Sequence, residues 1–495
     1  EEAGARRETP EQHCGMSGSR AALRVTVLQR HLSATQEGCS SSCDPGLISA
    51  TETWGGGSRG GGHNKRQAVI VAGNRTPFVR SFGDLIDVDT VALGVSAVEG
   101  LLKKTKLNPD LLDEIIWGCV VLSSKAPNVA REIVLDLNLP SHVTGVTCSR
   151  ACLSGAQAVL QAVDMIETGK AHCIVAGGGD SMSHAELTAP RPLARALALL
   201  SQSKKKDFKT FLKFFQSAGS PLSWFPERPS ISERSTGRTM GYHADLMADI
   251  NKVSRESQDA FAARSHQNAA KAQKAGILAE EISPVTNPQG KVVSKDGLIR
   301  GDSDASKMSR LRTVFRKASE GGTVTAASSS PLTDGASAVL VMSEEKALEL
   351  GYPIDIVVRS VAMTGVDPYP QLLLAPALCI PKALEEAELS LEDIDLWEIH
   401  EAFAAQVLST LACLESEEFC KNRLGLDRPL GSVPMEKINI HGSSIAIGHP
   451  FAATGGRLVT SASNELRRSK KRYALLSVCA AGGLGGVMIL ERRDL

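Results

Sequence analysis

A pattern that occurs twice constrains this chain more than its composition does. Residues 142–147 are rich in β-branched side chains and read as a short strand. They enter the turn Ser149-Arg-Ala-Cys152-Leu-Ser-Gly155. Leu153, Ala156, Val159, Leu160, Val163 and Ile166 then recur at helical spacing, and the strand at 172–176 runs into Gly177-Gly-Gly-Asp180. Far downstream, a strand at 437–440 leads to Gly448-His449-Pro450, a helix follows from about Thr454 to Arg468, and the strand at 473–478 enters Cys479-Ala-Ala-Gly-Gly483. Strand, reactive turn, helix, strand and glycine turn thus recur at similar lengths, which implies an internal duplication. Cys152 and His449 occupy equivalent places in it, and halves that face each other bring both turns to one cleft. A cysteine beside unsatisfied helix N-terminal amides is biased towards thiolate. The competing reading of an isolated cysteine is a small buried hydrophobe.

The 495 residues exceed one ordinary domain. A formal net charge of zero lacks the basic excess of a nucleic-acid binder. None of the eleven cysteines forms a CxxC pair, so neither a zinc site nor a disulfide framework is suggested, and a reducing compartment fits best. Residues 1–64 read as a targeting segment and linker. Their Gly/Ser-rich end has linker composition. Within them, Met16 opens a stretch with Arg20, Arg24 and Arg30 and no acidic residue before Glu37, the composition of a mitochondrial transit peptide starting at Met16.

The folded part begins near Arg66. Expected strands lie at 67–72, 114–122, 172–176, 322–326, 338–342, 354–363, 394–399, 437–440, 473–478 and 487–490. Expected helices lie at 89–104, 128–137, 253–276 and 380–388, besides those of the duplicated unit. Alternation of this kind indicates an α/β protein with a largely parallel core sheet. Residues 185–320 break the rhythm. There Phe208, Phe211, Leu212 and Phe215 share a helical face amid Lys204, Lys205, Lys206, Lys209 and Lys213. Such a helix can lie on a membrane, dock on a partner subunit or pack on its own domain.

Taken together, Cys152-x-Ser154-Gly155, His400-Glu-Ala-Phe403, Gly448-His449-Pro450 and Cys479-Ala-Ala-Gly-Gly483 resemble the motifs of the thiolases, in the same order. Asn74-Arg-Thr-Pro-Phe78, Gly322-Thr-Val-Thr-Ala326 and Thr333-Asp-Gly-Ala336 match as well, so the resemblance runs from about residue 66 to the C-terminus. His-Glu-Ala-Phe, where most thiolases have Asn-Glu-Ala-Phe, and the basic Phe-rich stretch look closest to the long-chain 3-ketoacyl-CoA thiolases of multienzyme complexes. The resemblance implies two similar αβ halves in a five-layered αβαβα sandwich. Residues 66–184 plus 321–345 would form the N-terminal half, 185–320 an inserted loop domain, and 346–495 the C-terminal half. It also implies a homodimer in complex with a hydratase/dehydrogenase α subunit, with the stretch 195–225 a candidate for cardiolipin contact. The localisation implied is mitochondrial, or cytoplasmic for a bacterial chain.

The resemblance assigns roles residue by residue. Cys152 would be the nucleophile that becomes an acyl-enzyme, His449 its base, and Cys479 the acid that protonates the departing enolate. His400 and His449 would serve the thioester oxygen, and the backbone amides of Cys152 and Ala481 the oxyanion of the tetrahedral intermediate. Ser330 matches a serine that contacts pantetheine. CoA is then a co-substrate, with no permanently bound cofactor and no metal, and its phosphate ligands are unassigned. The chain departs from the common pattern at Ser149, at Ala480-Ala481 and at Ser328. Two rivals stand beside the thiolase: a ketoacyl-synthase-like condensing enzyme using Cys152, His400 and His449, and a non-catalytic membrane-docking subunit of the same fold.

Overall fold

The computed structural model describes residues 66–227 and 229–494; the expected transit peptide and linker lie outside the described residues. In chain order the first half runs β1 (Ala68–Arg75), α1 (Thr90–Thr105), β2 (Glu114–Gly118), α2 (Val129–Asp136), β3 (Thr144–Cys148), α3 (Ser154–Glu167) and β4 (Cys173–Asp180). An excursion carries α4 (Arg191–Gln202), α5 (Phe208–Ser217), α6 (Met240–Ile250) and α7 (Arg255–Lys274) before the chain returns as β5 (Thr333–Ser343). The second half runs β6 (Ile356–Gly365), α8 (Ala375–Ala387), β7 (Leu396–Ile399), α9 (Ala404–Glu415), α10 (Ala453–Ser469), β8 (Tyr473–Ala480) and β9 (Leu484–Arg492).

The two main sheets repeat one plan. Their orders are β1-β5-β4-β2-β3 and β6-β9-β8-β7. Read from the first strand of each, the pairings are antiparallel, antiparallel, then parallel. The largely parallel sheet expected from the sequence is therefore corrected to two mixed sheets. The tight turn at Ala481–Gly483 forces β8 and β9 into an antiparallel hairpin, and β5 runs antiparallel to β4 in the equivalent place. The expected strand at 437–440 is reduced to one parallel bridge, Trp397 to Ile438, where a fifth strand would lie. Asn439 follows with φ 46°, a left-handed conformation that ends any extended run.

Two further strands are shortened or absent because carboxylates take their amides. Asp180 accepts from Val120 and Val121 N–H at 2.8 and 2.7 Å, which stops β2 at Gly118 rather than 122. Asp245 accepts from Thr323 and Val324 N–H at 2.7 and 3.3 Å, and no strand forms at 322–326. A bound carboxylate satisfies the amides that a ladder would have used.

Three apolar clusters build the layers. Leu93, Ala97 and Leu101 of α1 and Ile133 of α2 pack on the outer face of the first sheet, against Leu340 and Val175. Ile380 and Leu384 of α8 and Val407 of α9 cover the outer face of the second, against Leu475 and Ile489. Between the sheets, Val159 and Ile166 of α3 meet Leu458 and Leu466 of α10, with Ile174 on one side and Leu476 on the other. The result is a five-layered αβαβα sandwich. Each buried Leu or Ile contributes about 1.5–3 kcal/mol relative to exposure.

Glycines let the two central helices meet. A Cβ at Gly155 or Gly178 would lie 2.2 or 2.5 Å from the carbonyl oxygen of Ala452, which no side chain tolerates. This also explains why Gly177–Gly179 stand inside β4 and not in the turn expected there. Arg75, fully buried at the end of β1, anchors the excursion: it grips Asp296 with two parallel bonds of 2.7 and 2.8 Å and Glu281 at 2.9 Å.

Candidate active site

The turn after β3 presents Cys152. Ala151 has φ 46°, which costs a side-chain-bearing residue about 1–2 kcal/mol. Ser154 holds the turn in place: its hydroxyl donates to Ala151 O at 2.6 Å and accepts from Arg150 N–H at 2.8 Å. Cys152 is left partly exposed just before α3 begins. Burial pushes its thiol up to about 12, against the pull of the Ala481 and Cys152 backbone amides. The thiolate bias expected from helix amides is thus corrected: desolvation outweighs it, and the resting sulfur keeps its proton. Both amides named for the oxyanion nonetheless converge on this sulfur.

His449 comes from the other half. A short helix, Ser444–Ile447, and Gly448 precede it, and its N–H donates to Thr333 Oγ1 at the start of β5 at 3.0 Å. Its Nε2 lies 3.3 Å from Cys152 Sγ. Its Nδ1 lies 2.6 Å from Thr454 Oγ1, and that hydroxyl donates its single proton to Pro450 O at 3.0 Å. Thr454 therefore accepts from Nδ1–H, and Nε2 faces the thiol with a bare lone pair. Burial, reinforced by the charge of Arg457, lowers His449 to about 3. A neutral imidazole thus faces a neutral thiol, and proton transfer must accompany attack. Inactivation by iodoacetamide is expected to accelerate from about pH 7 to about pH 10 without levelling. A plateau reached below about pH 8 would show a preformed thiolate–imidazolium pair instead.

His400 follows β7, its N–H bonded to Ser477 O at 2.8 Å. Its ring stands 4.1 Å from that of His449, tilted by 45°. Nδ1 lies 2.8 Å from Ser444 Oγ, whereas Nε2 is buried and has no partner among the described residues. One donor atom each from Cys152, His400 and His449 lies within 4.8 Å of the others. Cys479, the penultimate residue of β8, is buried, and burial together with nearby Cys152 holds its thiol well above the usual range. Its thiol therefore keeps its proton at neutral pH.

The structure brings Cys152, His400, His449, Cys479 and Ala481 to one place. Ser330 lies in an adjoining cleft of about 690 Å³, which Ser329, Leu332, Phe315, Arg80 and Arg300 also line. Leu332 in turn bridges to His449, and Ser330 N–H bonds to Ala402 O at 3.0 Å beside the His-Glu-Ala-Phe turn. Glu401 points away from the reacting groups, accepting from Ser265 Oγ at 2.7 Å, Asn439 Nδ2 at 2.7 Å and Ile445 N–H at 3.2 Å. It orients neighbours.

Sequence reasoning missed Asp180, Ser444, Thr454 and Arg457. Asp180 accepts from Ala452 N–H at 2.7 Å as well as from Val120 and Val121, so one carboxylate ties the His449 turn to the first half. Arg457 had a readable signal: a lone charge between Gly456 and Leu458 on a helix buried on all sides.

Two αβ halves that bring two thiols and two imidazoles together at their seam define a cysteine-dependent α/β enzyme. Family models settle which one: the thiolase N-terminal domain matches residues 68–345 and the thiolase C-terminal domain residues 352–492. The chain belongs to the thiolase family. It is 42% identical over 424 residues to a 3-ketoacyl-CoA thiolase of Yersinia pestis (strain Pestoides F), covering 86% of this chain and 96% of that one. The same figures hold for the enzyme of Yersinia pseudotuberculosis serotype O:1b. Among solved structures, human mitochondrial 3-ketoacyl-CoA thiolase aligns with TM-score 0.72 at 29% identity, over 87% of this chain and 99% of that one. Bacillus anthracis acetyl-CoA acetyltransferase aligns with the same TM-score and coverage at 31% identity.

Proposed function

We propose that the chain is a 3-ketoacyl-CoA thiolase, cleaving 3-ketoacyl-CoA with CoA to acetyl-CoA and a shortened acyl-CoA, the closing step of fatty acid β-oxidation. The observation that carries this is geometric: Cys152 Sγ lies 3.3 Å from His449 Nε2, the His400 ring stands 4.1 Å from that of His449, and the buried Cys479 lies near Cys152. Cys152 Sγ attacks the ketone carbon as its proton passes to His449 Nε2. The new C–S bond is followed by cleavage between Cα and Cβ, whose electron pair remains on the departing acetyl unit as a thioester enolate. Cys479 gives that carbon its proton, and acetyl-CoA leaves. The thiol of incoming CoA then attacks the acyl carbon as its proton passes to the Cys479 thiolate. The bond to Cys152 breaks, the proton held by His449 returns to the sulfur, and the shortened acyl-CoA departs. A neutral His400 donates to the thioester oxygen during enolate formation, and the amides of Cys152 and Ala481 serve the tetrahedral oxyanion. Ser330 meets the pantetheine arm, and Arg80 and Arg300 supply positive charge to the CoA phosphates. CoA-dependent cleavage of 3-ketohexadecanoyl-CoA tests the reading; decarboxylative condensation without cleavage would overturn it. A series from C4 to C16 substrates sets the chain length.

The finer proposal is a homodimer that assembles with a hydratase/dehydrogenase α subunit, as the β subunit of a mitochondrial trifunctional protein. Support comes from His400 in its motif and from the basic Phe-rich excursion. No helix among the described residues is long and apolar enough to cross a membrane. On and after α5, Phe208 and Phe225 are 83% and 77% exposed, and Phe211, Leu212 and Phe215 are exposed beside Lys209 and Lys213. That surface suits a peripheral contact with an anionic lipid such as cardiolipin. Deleting 195–225 is expected to abolish flotation with cardiolipin vesicles and to spare activity on short substrates; unchanged flotation counts against it. Fusing residues 16–64 to a reporter tests the mitochondrial targeting.

A further inference from the structure

Neighbouring imidazoles with different tasks need different tautomers. Thr454 commits His449 to a proton on Nδ1 and a bare Nε2. Around His400 the donors run the other way. Arg457, fully buried on α10, has donors only. Its Nη2 lies 2.8 Å from Ser443 Oγ and 3.4 Å from Ser444 Oγ. Glu398 faces the same guanidinium at 3.5 Å, and burial lifts its carboxyl to about 7 against the pull of Arg457.

Ser444 Oγ has one proton and two lone pairs. Arg457 approaches a lone pair, and the remaining partner among the described residues is His400 Nδ1 at 2.8 Å. A hydroxyl that accepts from a cation becomes a better donor, so its proton goes to Nδ1. The proton of neutral His400 then stands on Nε2, the buried nitrogen with no partner among the described residues. Burial, then the neighbouring His449 and Arg457, oppose a second proton on the ring.

We infer that Ser444, polarised by Arg457, is a positioning residue that fixes His400 as its Nε2–H tautomer, a donor aimed at the substrate oxygen beside a His449 held in the opposite form. The substrate in that statement rests on the thiolase reading; the tautomer does not. The acidic oxyanion donor and the base at Cys152 thus differ because a serine backed by arginine faces one ring and a threonine bonded to a carbonyl faces the other.

The test uses the full-length chain labelled with 15N-histidine, and the ring signals are assigned with His400→Gln and His449→Gln. His400 is expected to show the Nε2–H pattern and His449 the Nδ1–H pattern. Ser444→Ala should shift the His400 signal towards Nδ1–H, while Ser444→Thr, which keeps the hydroxyl, should retain Nε2–H. In kinetics, Ser444→Ala is expected to lower kcat for 3-ketoacyl-CoA cleavage by about 10–100-fold. KM and the rate of Cys152 alkylation should each change by less than about threefold, because the base is untouched. An Nδ1–H signal from His400 in the parent protein, or equal losses in cleavage and alkylation, would overturn the inference. A parent protein that cleaves no ketoacyl-CoA would sink the thiolase reading and leave the tautomer signals to decide this one.

Discussion

Replacing Cys152 by serine is expected to lower kcat by about 10⁴-fold or more while leaving the melting temperature within about 3 °C. The hydroxyl keeps the hydrogen bond to His449 but is far harder to deprotonate than a thiol. Its base cannot compensate, since burial already holds His449 at about 3. Sulfur succeeds because it is polarizable and attacks as its proton leaves. Folding should survive because Cys152 is partly exposed and sits at the edge of the central apolar cluster. The measurement pairs steady-state cleavage with mass spectrometry of the enzyme after rapid mixing with 3-ketoacyl-CoA. The parent should gain one acyl group and the variant none. Activity above about a tenth of the parent would remove Cys152 from the nucleophile's place.

The duplicated pattern carried most of the architecture, because strands buried on both faces and helices with an apolar stripe leave periodic marks. It also paired Cys152 with His449, which the structure puts 3.3 Å apart although 297 positions separate them. Two failures of the reading share one cause. Asp180 and Asp245 withdraw amides from expected strands, and a carboxylate distant in sequence leaves no local mark on the segment it caps. The protonation of Cys152 was misjudged for a related reason. Helix amides can be read from the turn, but the desolvation that outweighs them depends on His449 and the opposite half arriving in three dimensions. Ser444 and Thr454 were silent because hydroxyl orientation is a property of the assembled seam.

That seam explains why the halves depend on each other. Thr333 of the first half receives the amide of His449, Asp180 receives that of Ala452, and the glycine at 155 admits the Ala452 carbonyl. The base is therefore aligned by the half that bears the nucleophile. Neither half alone holds a site.

Replacing Cys479 by alanine should separate the two kinds of chemistry open to such a site. Burial keeps this thiol protonated, and it lies close enough to Cys152 for the charge of one to oppose ionisation of the other. Cleavage between Cα and Cβ leaves an electron pair on carbon that needs a proton in a site shielded from water. Loss of a positioned acid is expected to lower kcat by about 10²–10⁴-fold. Alkylation of Cys152 should stay within about threefold, since His449 and the Cys152 and Ala481 amides remain. Exchange of deuterium from solvent into the methyl group of acetyl-CoA should fall with kcat, because it needs the same acid. Truncating one buried sulfur leaves a small cavity and costs about 1 kcal/mol, too little to unfold the protein. A decarboxylative condensation releases carbon dioxide and uses its carbanion directly, so it needs no second thiol. A variant that cleaves and exchanges at parental rates would mean that Cys479 is a packing residue, and that the proton reaches the enolate from His449 or water.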